Sequence, residues 1–220
     1  MVILIFLAEA NLLKLFITVD CWDGDDGEPI IYHGWTLTSK ILFKDVIADA
    51  VDKYAFHSTQ YPLILSIENH CGLEQQDVMA RHLKEILGEK LYTDPPNEDR
   101  DAMPSPEELK GKILIKAKRL PPGKSSEDDI EEEEDEVEDL DEKKKDKPKK
   151  ISQALSDCVN YIHAVHFHGF DSEGSKYYHM SSFGETKAFN FIEDPEKSRD
   201  FVKYNCRQIS RIYPGAKRQD

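Results

Sequence analysis

Pro62-Leu-Ile-Leu-Ser-Ile-Glu68 is a near-continuous apolar run that ends on a carboxylate. A half-exposed strand alternates apolar and polar residues; a run without that alternation fits a strand covered on both faces, as in a parallel sheet. Upstream, Leu15-Phe-Ile-Thr-Val-Asp20 is a second strand candidate, rich in β-branched residues and again closed by an acid. Between the two, Phe43, Val46, Ile47, Ala50, Val51 and Tyr54 recur at helical spacing. Downstream, Met79, Leu83, Ile86 and Leu87 form another helical stripe, with Gly88 placed to end it. After a Pro-containing loop from Asp94 to Pro106, Lys112-Ile-Leu-Ile-Lys-Ala-Lys118 reads as a third buried strand. Strand, helix, strand, helix, strand is the βαβ rhythm of a parallel sheet in an α/β fold.

The charge is distributed unevenly around this block. The 220 residues hold 29 Lys and Arg against 43 Asp and Glu, a formal charge of −14. Such a chain is not built to neutralise a phosphate backbone, and nucleic acid is not the expected partner. Glu127 to Glu142 contains 13 acids in 16 residues, and Lys143 to Lys150 adds six lysines. That composition cannot bury enough apolar surface to offset its ordering entropy, so a disordered linker is expected over 121–150. Order resumes near Ile151, with a strand over Tyr177 to Phe183, helices over Glu185 to Ile192 and Phe201 to Gln208, and a further strand beginning at Ile212-Tyr213. Cys21, Cys71, Cys158 and Cys206 are widely spaced and read as buried or free thiols of a reducing compartment. Met1-Val-Ile-Leu-Ile-Phe-Leu7 is apolar, but Glu9, Asn11 and Lys14 interrupt it before it reaches transmembrane length. It also lacks the basic start and small-residue cleavage site of a signal peptide.

Asp20, Glu68 and the pair Lys116/Lys118 all stand at the C-terminal ends of expected buried strands. In an α/β barrel that rim carries the active site. Two carboxylates on neighbouring strand ends suit Ca²⁺ or Mg²⁺, and two lysines in alternate positions present ammonium groups to phosphate. Together they suggest metal-assisted chemistry on a phosphorylated substrate; the plainer alternative is strand-end charge meeting solvent. His163, His166 and His168 resemble a metal cluster, but strand alternation turns His163 away from the other two. Ser182 and Glu185 have the spacing of a capping box. Arg211 and Tyr213 form either a surface pair or a bracket for a sugar-like ring. No nucleophile elbow, P-loop or dinucleotide fingerprint is present.

Val19-Asp-Cys-Trp-Asp-Gly24, Tyr32-His-Gly-Trp-Thr-Leu-Thr-Ser-Lys40, Ser66-Ile-Glu-Asn-His-Cys71, Pro104 to Lys118, Ser181-Ser-Phe183 and Ser210-Arg-Ile-Tyr-Pro214 together resemble eukaryotic phosphoinositide-specific phospholipase C, in wording nearest the delta and eta types. The resemblance implies the later part of an X half over 19–120 and the start of a Y half over 151–220, with residues 1–18 unmatched. It implies a TIM-type barrel, incomplete here, whose halves are split by the acidic linker. It further implies Ca²⁺-dependent hydrolysis of phosphatidylinositol 4,5-bisphosphate to diacylglycerol and inositol 1,4,5-trisphosphate, by a cytoplasmic protein working peripherally at the membrane surface. By the same resemblance Asp20 and Glu68 match calcium ligands, and His33 matches the histidine that protonates the leaving oxygen. Lys116, Lys118, Ser182 and Arg211 match phosphate contacts, and Tyr213 matches the residue packed on the inositol ring. An anionic leaflet would repel the acidic linker from the barrel mouth.

The chain departs from that family at identifiable places. Thr18 stands where the family carries a glutamate ligand, and the His-Asn segment that holds another ligand and the first catalytic histidine is not found. Little turnover by this chain alone is therefore expected, with open sheet edges. The alternative is a non-enzymatic member that binds inositol phosphates or a protein partner.

Overall fold

The computed structural model describes residues 16–32, 39–128, 150–170 and 174–214. His33, the apolar run at residues 1–7 and most of the acidic and Lys-rich linker lie outside those residues. In chain order, β1 (Phe16–Trp22) leads through a short loop to β2 (Ile30–Ile31) and β3 (Ile41–Leu42). A brief α1 (Phe43–Asp45) runs directly into a π-helical stretch, Val46–Asp52. β4 (Leu63–Asn69), α2 (Leu73–Leu87) and β5 (Ile113–Ala117) complete the part before the linker. After it come α3 (Gln153–Ser156), β6 (Ile162–Ala164), β7 (His179–Gly184), α4 (Glu185–Glu193), α5 (Pro195–Asn205) and β8 (Ile209–Tyr213).

All eight strands form one sheet in the order β3-β2-β1-β4-β5-β6-β7-β8. From β1 to β8 every neighbour pairs in parallel, while β2 and β3 turn back antiparallel along the outer edge of β1. The two edge strands do not pair with each other among the described residues, so this is an incomplete TIM-type barrel. Alternation along the strands sorts their side chains into two layers. Val19, Cys21, Leu65, Ile67, Ile113, Ile115 and Ala117 face outward and pack on Val46, Ile47, Met79, Leu83 and Leu87 of the covering helices. Leu114, Ile162 and Met180 face inward with Phe16, Ile64 and Ile209, filling the lower interior. Each such aliphatic side chain contributes about 1.5–3 kcal/mol on full burial.

Several local readings need correction. Ser182 lies inside β7, and the residue capping α4 is Gly184 without a side-chain bond, so the capping box from Ser182 to Glu185 does not form. The helix expected over Phe201 to Gln208 begins earlier, because the Asp194 carboxylate accepts the Glu196 and Lys197 N–H groups and Pro195 fills the first turn. The stripe from Phe43 to Tyr54 buries Phe43, Val46, Ile47 and Val51, but the π widening leaves Tyr54 exposed. Gly88 does end α2, with φ at +51°.

Candidate functional site

Above the apolar layer, the inner face of the sheet becomes polar one rung at a time. Thr18, Ser66 and Lys116 stand side by side on β1, β4 and β5. The next rung pairs Asp20 with Glu68. Beyond them Trp22 stacks on His70, with ring centroids 4.0 Å apart and planes 12° from parallel. The loops above β1 and β4 are clasped together. Asp23 accepts the Gly72 N–H at 3.1 Å, and the Gln75 amide both accepts from the Gly24 N–H and donates to its carbonyl. Gly24 must be glycine there, since a Cβ would collide with the Glu28 carbonyl oxygen.

β8 curls back across this interior. Arg211 Nη2 donates to Thr18 Oγ1 at 3.3 Å, although 193 residues separate them in sequence. Its Nη1 lies 3.8 Å from Glu68 Oε1. The guanidinium also sits 4.1 Å from the Tyr213 ring centroid and 5.0 Å from that of Phe16, so aromatic faces hold it in place. Ser182 is the β7 residue paired in register with Arg211.

The electrostatics follow from this arrangement. Burial pushes the Glu68 carboxyl above its usual range, and the Asp20 charge adds to the rise; Arg211, Lys116 and His70 oppose it. Lys116 is only 5 % exposed. Cys21 is buried on the outer face of β1, and burial foremost, then the charges of Cys71, Asp20 and Glu68, drives its thiol well above the ordinary value. A thiol so placed stays protonated and is no nucleophile.

Of the residues singled out in the sequence, Asp20, Glu68, Lys116, Ser182, Arg211 and Tyr213 therefore belong to adjoining rungs of one mouth, and Lys118 lies just past the end of β5. His33 is outside the described residues. Sequence reading passed over Ser66 and His70; their positions two residues either side of Glu68 were the available signal, since i and i+2 share a strand face. Among the described residues no group of three or more His, Cys, Asp or Glu gathers as a metal cluster, and no helix is long and apolar enough to cross a membrane.

Comparison with known proteins accounts for both parts of the chain. Residues 15–119 match the family of phosphatidylinositol-specific phospholipase C, X domain, and residues 155–220 match its Y domain. Over 93 % of its length the chain is 48 % identical to the Xenopus laevis 1-phosphatidylinositol 4,5-bisphosphate phosphodiesterase delta-4 and 47 % identical to human delta-1, spanning 29 % of each. It is also 42 % identical to the mouse inactive phospholipase C-like protein 2, over 93 % of this chain and 19 % of that protein. The crystal structure of S. officinalis PLC21 superposes with a TM-score of 0.73 at 37 % identity, covering 93 % of this chain and 26 % of that one.

Proposed function

Since the chain belongs to the phosphatidylinositol-specific phospholipase C family, we propose that its polar mouth binds a phosphoinositide headgroup and contributes to calcium-dependent cleavage of phosphatidylinositol 4,5-bisphosphate into diacylglycerol and inositol 1,4,5-trisphosphate. The observation that supports this most is the Asp20–Glu68 carboxylate pair on one rung, met by Arg211 from β8 and Lys116 from β5. Two hard-oxygen donors side by side, one of them partly desolvated, suit part of a Ca²⁺ shell, the remainder coming from water and substrate. Bound there, the cation would supply Lewis-acid polarisation of the inositol 2-hydroxyl.

The chain's own residues divide the other tasks. Arg211 offers a planar fork to one phosphate, Lys116 and Lys118 offer point charges to others, and Ser182 offers a hydroxyl. Tyr213, already packed against Arg211, gives the sugar ring a flat apolar surface. Burial pushes the Glu68 carboxyl upward, which makes it a readier proton acceptor than an exposed glutamate. His33 serves as the acid for the leaving alcohol, since an imidazole with a reference pKa of about 6.5 exchanges protons near neutrality. The reaction site lies at the cytoplasmic membrane surface, which the protein visits peripherally.

The test is release of soluble inositol phosphate from vesicles containing phosphatidylinositol 4,5-bisphosphate by the purified chain. Slow, calcium-dependent release that Asp20→Asn abolishes is the expected result. A second reading, headgroup binding without cleavage, is favoured by Thr18 and by the likeness to a relative named inactive. Headgroup binding with no release at any calcium concentration would select that reading; neither binding nor release would overturn both.

A further inference from the structure

Arg211 is less well matched than its surroundings suggest. Its Nη1 is buried without a hydrogen-bond partner among the described residues, and Glu68 is too far, at 3.8 Å, to accept from it. Its Nη2 rests on Thr18 Oγ1. Thr18 occupies the inner face of β1 directly below Asp20, where a longer acidic side chain would meet the guanidinium and neutralise it. The residue present brings a hydroxyl and no charge. Lys116, in the rung of Thr18 and Ser66, adds a second buried cation to the same layer. Beside that cation Ser66 Oγ is also buried without a partner among the described residues. A buried guanidinium N–H left unpaired costs free energy until an anion oxygen arrives.

We propose that Thr18 sets the preference of this mouth, leaving Arg211 available to a phosphomonoester so that a polyphosphorylated inositol headgroup binds without any divalent cation. This rests on the headgroup reading above but concerns what binding requires, not whether cleavage follows. The group recognised is a phosphate monoester on a polyol ring, which either a lipid headgroup or a free inositol phosphate supplies.

The experiment measures binding of the full 220-residue chain in excess chelator. Inositol 1,4,5-trisphosphate is titrated calorimetrically, and vesicles with and without phosphatidylinositol 4,5-bisphosphate are sedimented with the protein. Wild type should bind the soluble probe in chelator within threefold of its affinity in calcium. The vesicle arm decides whether the lipid form is bound as well as the free one. Thr18→Glu should weaken chelator binding at least tenfold and make it calcium-dependent. Thr18→Gln, of similar reach without the charge, should stay within threefold of wild type, and Arg211→Ala should lose binding in both conditions. Wild-type binding only in calcium would overturn the proposal, as would equal behaviour of the Glu and Gln variants. The wild-type measurement alone decides the matter if Thr18→Glu fails to fold. Because every arm reads binding, absence of lipid cleavage leaves this result intact, and cleavage that requires calcium does not rescue it.

Discussion

His163 on β6 is a half-buried titrating group that the proposed chemistry does not use. Burial foremost, then the charges of Arg119 and His179, brings its pKa down to about 4, and burial also lowers that of His179. The ring packs edge-on against Tyr178, 4.9 Å between centroids, with Nε2 buried and unpartnered among the described residues. The unfolded chain takes up this proton near pH 6.5, the folded chain only near 4, so stability is intact above the first value and falls as pH drops between the two. From pH 7 to pH 5 the loss attributable to His163 is of the order of 2 kcal/mol. Denaturant midpoints at the two pH values should show it, and His163→Phe should flatten the dependence; an equal slope in the variant would refute the assignment. Lys116 makes the opposite kind of prediction. Lys116→Met removes a cation that holds the Glu68 carboxyl down, so a carbon-detected NMR titration should find that carboxyl shifted further upward. Headgroup binding should fall about tenfold with it, the loss of one charge-assisted contact. Asp20, Glu68 and Lys116 were legible because each is a charge inside or ending an apolar run. The Arg211–Thr18 contact was not, since nothing local to either strand records a partner 193 residues away.

At the scale of elements, legibility followed length. β1, β4 and β5 carry enough consecutive apolar residues for the run to stand out, and α2 has four turns over which its stripe repeats. β2 and β3 are two residues each and β6 is three, too short for any period; β2 and β6 form because longer neighbours offer ladder partners, and β3 pairs with the equally short β2. The mistaken capping box shows competing local chemistry: Ser182 has the right spacing to Glu185, but the ladder between β7 and β8 extends through Gly184 and holds Ser182 extended. Asp194-Pro195 was the truer signal. Asp194→Ala should speed hydrogen exchange at the Glu196 and Lys197 amides, while Asp194→Asn, which still accepts, should not. Beneath α4 and α5, Phe183 is fully buried against Phe167, Phe191 and Phe201, with centroid separations from 4.9 to 5.7 Å. Phe183→Ala should destabilise by about 3–5 kcal/mol through the cavity it leaves, read as a lower denaturant midpoint at unchanged slope. An effect under 1 kcal/mol would mean the aromatic cluster closes around the loss.

For the whole molecule the question is what unites the parts before and after the acidic linker. The ladder gives one answer: β5 pairs with β6 only through Lys116–Ile162 and Ala117–His163. A second tie is Gln76, a polar residue 1 % exposed on the inward stripe of α2. Its amide donates to the Cys71 carbonyl at 2.8 Å and the Lys150 carbonyl at 3.0 Å, and its oxygen accepts the Ser152 N–H at 2.8 Å. One side chain thus joins the β4–α2 loop to the chain as it returns from the linker. The Arg211–Thr18 bond supplies a third tie across the barrel interior. None of the three uses residues 129–149. A protease site inserted there and cut should leave two pieces that co-elute in size-exclusion chromatography at the volume of the uncut chain, with an unchanged circular dichroism spectrum. Gln76→Leu keeps the bulk but strands the Ser152 N–H and two carbonyls, at a cost of the order of 3 kcal/mol. Cleaved Gln76→Leu protein should therefore separate or aggregate under conditions where cleaved wild type remains whole. If cleaved wild type falls apart, the linker itself holds the barrel halves together. If the cleaved variant stays whole, the remaining ties, among them the β5–β6 ladder, the barrel interior and the Leu120–Ser156 and Arg119–Val159 hydrogen bonds, suffice without the Gln76 clasp.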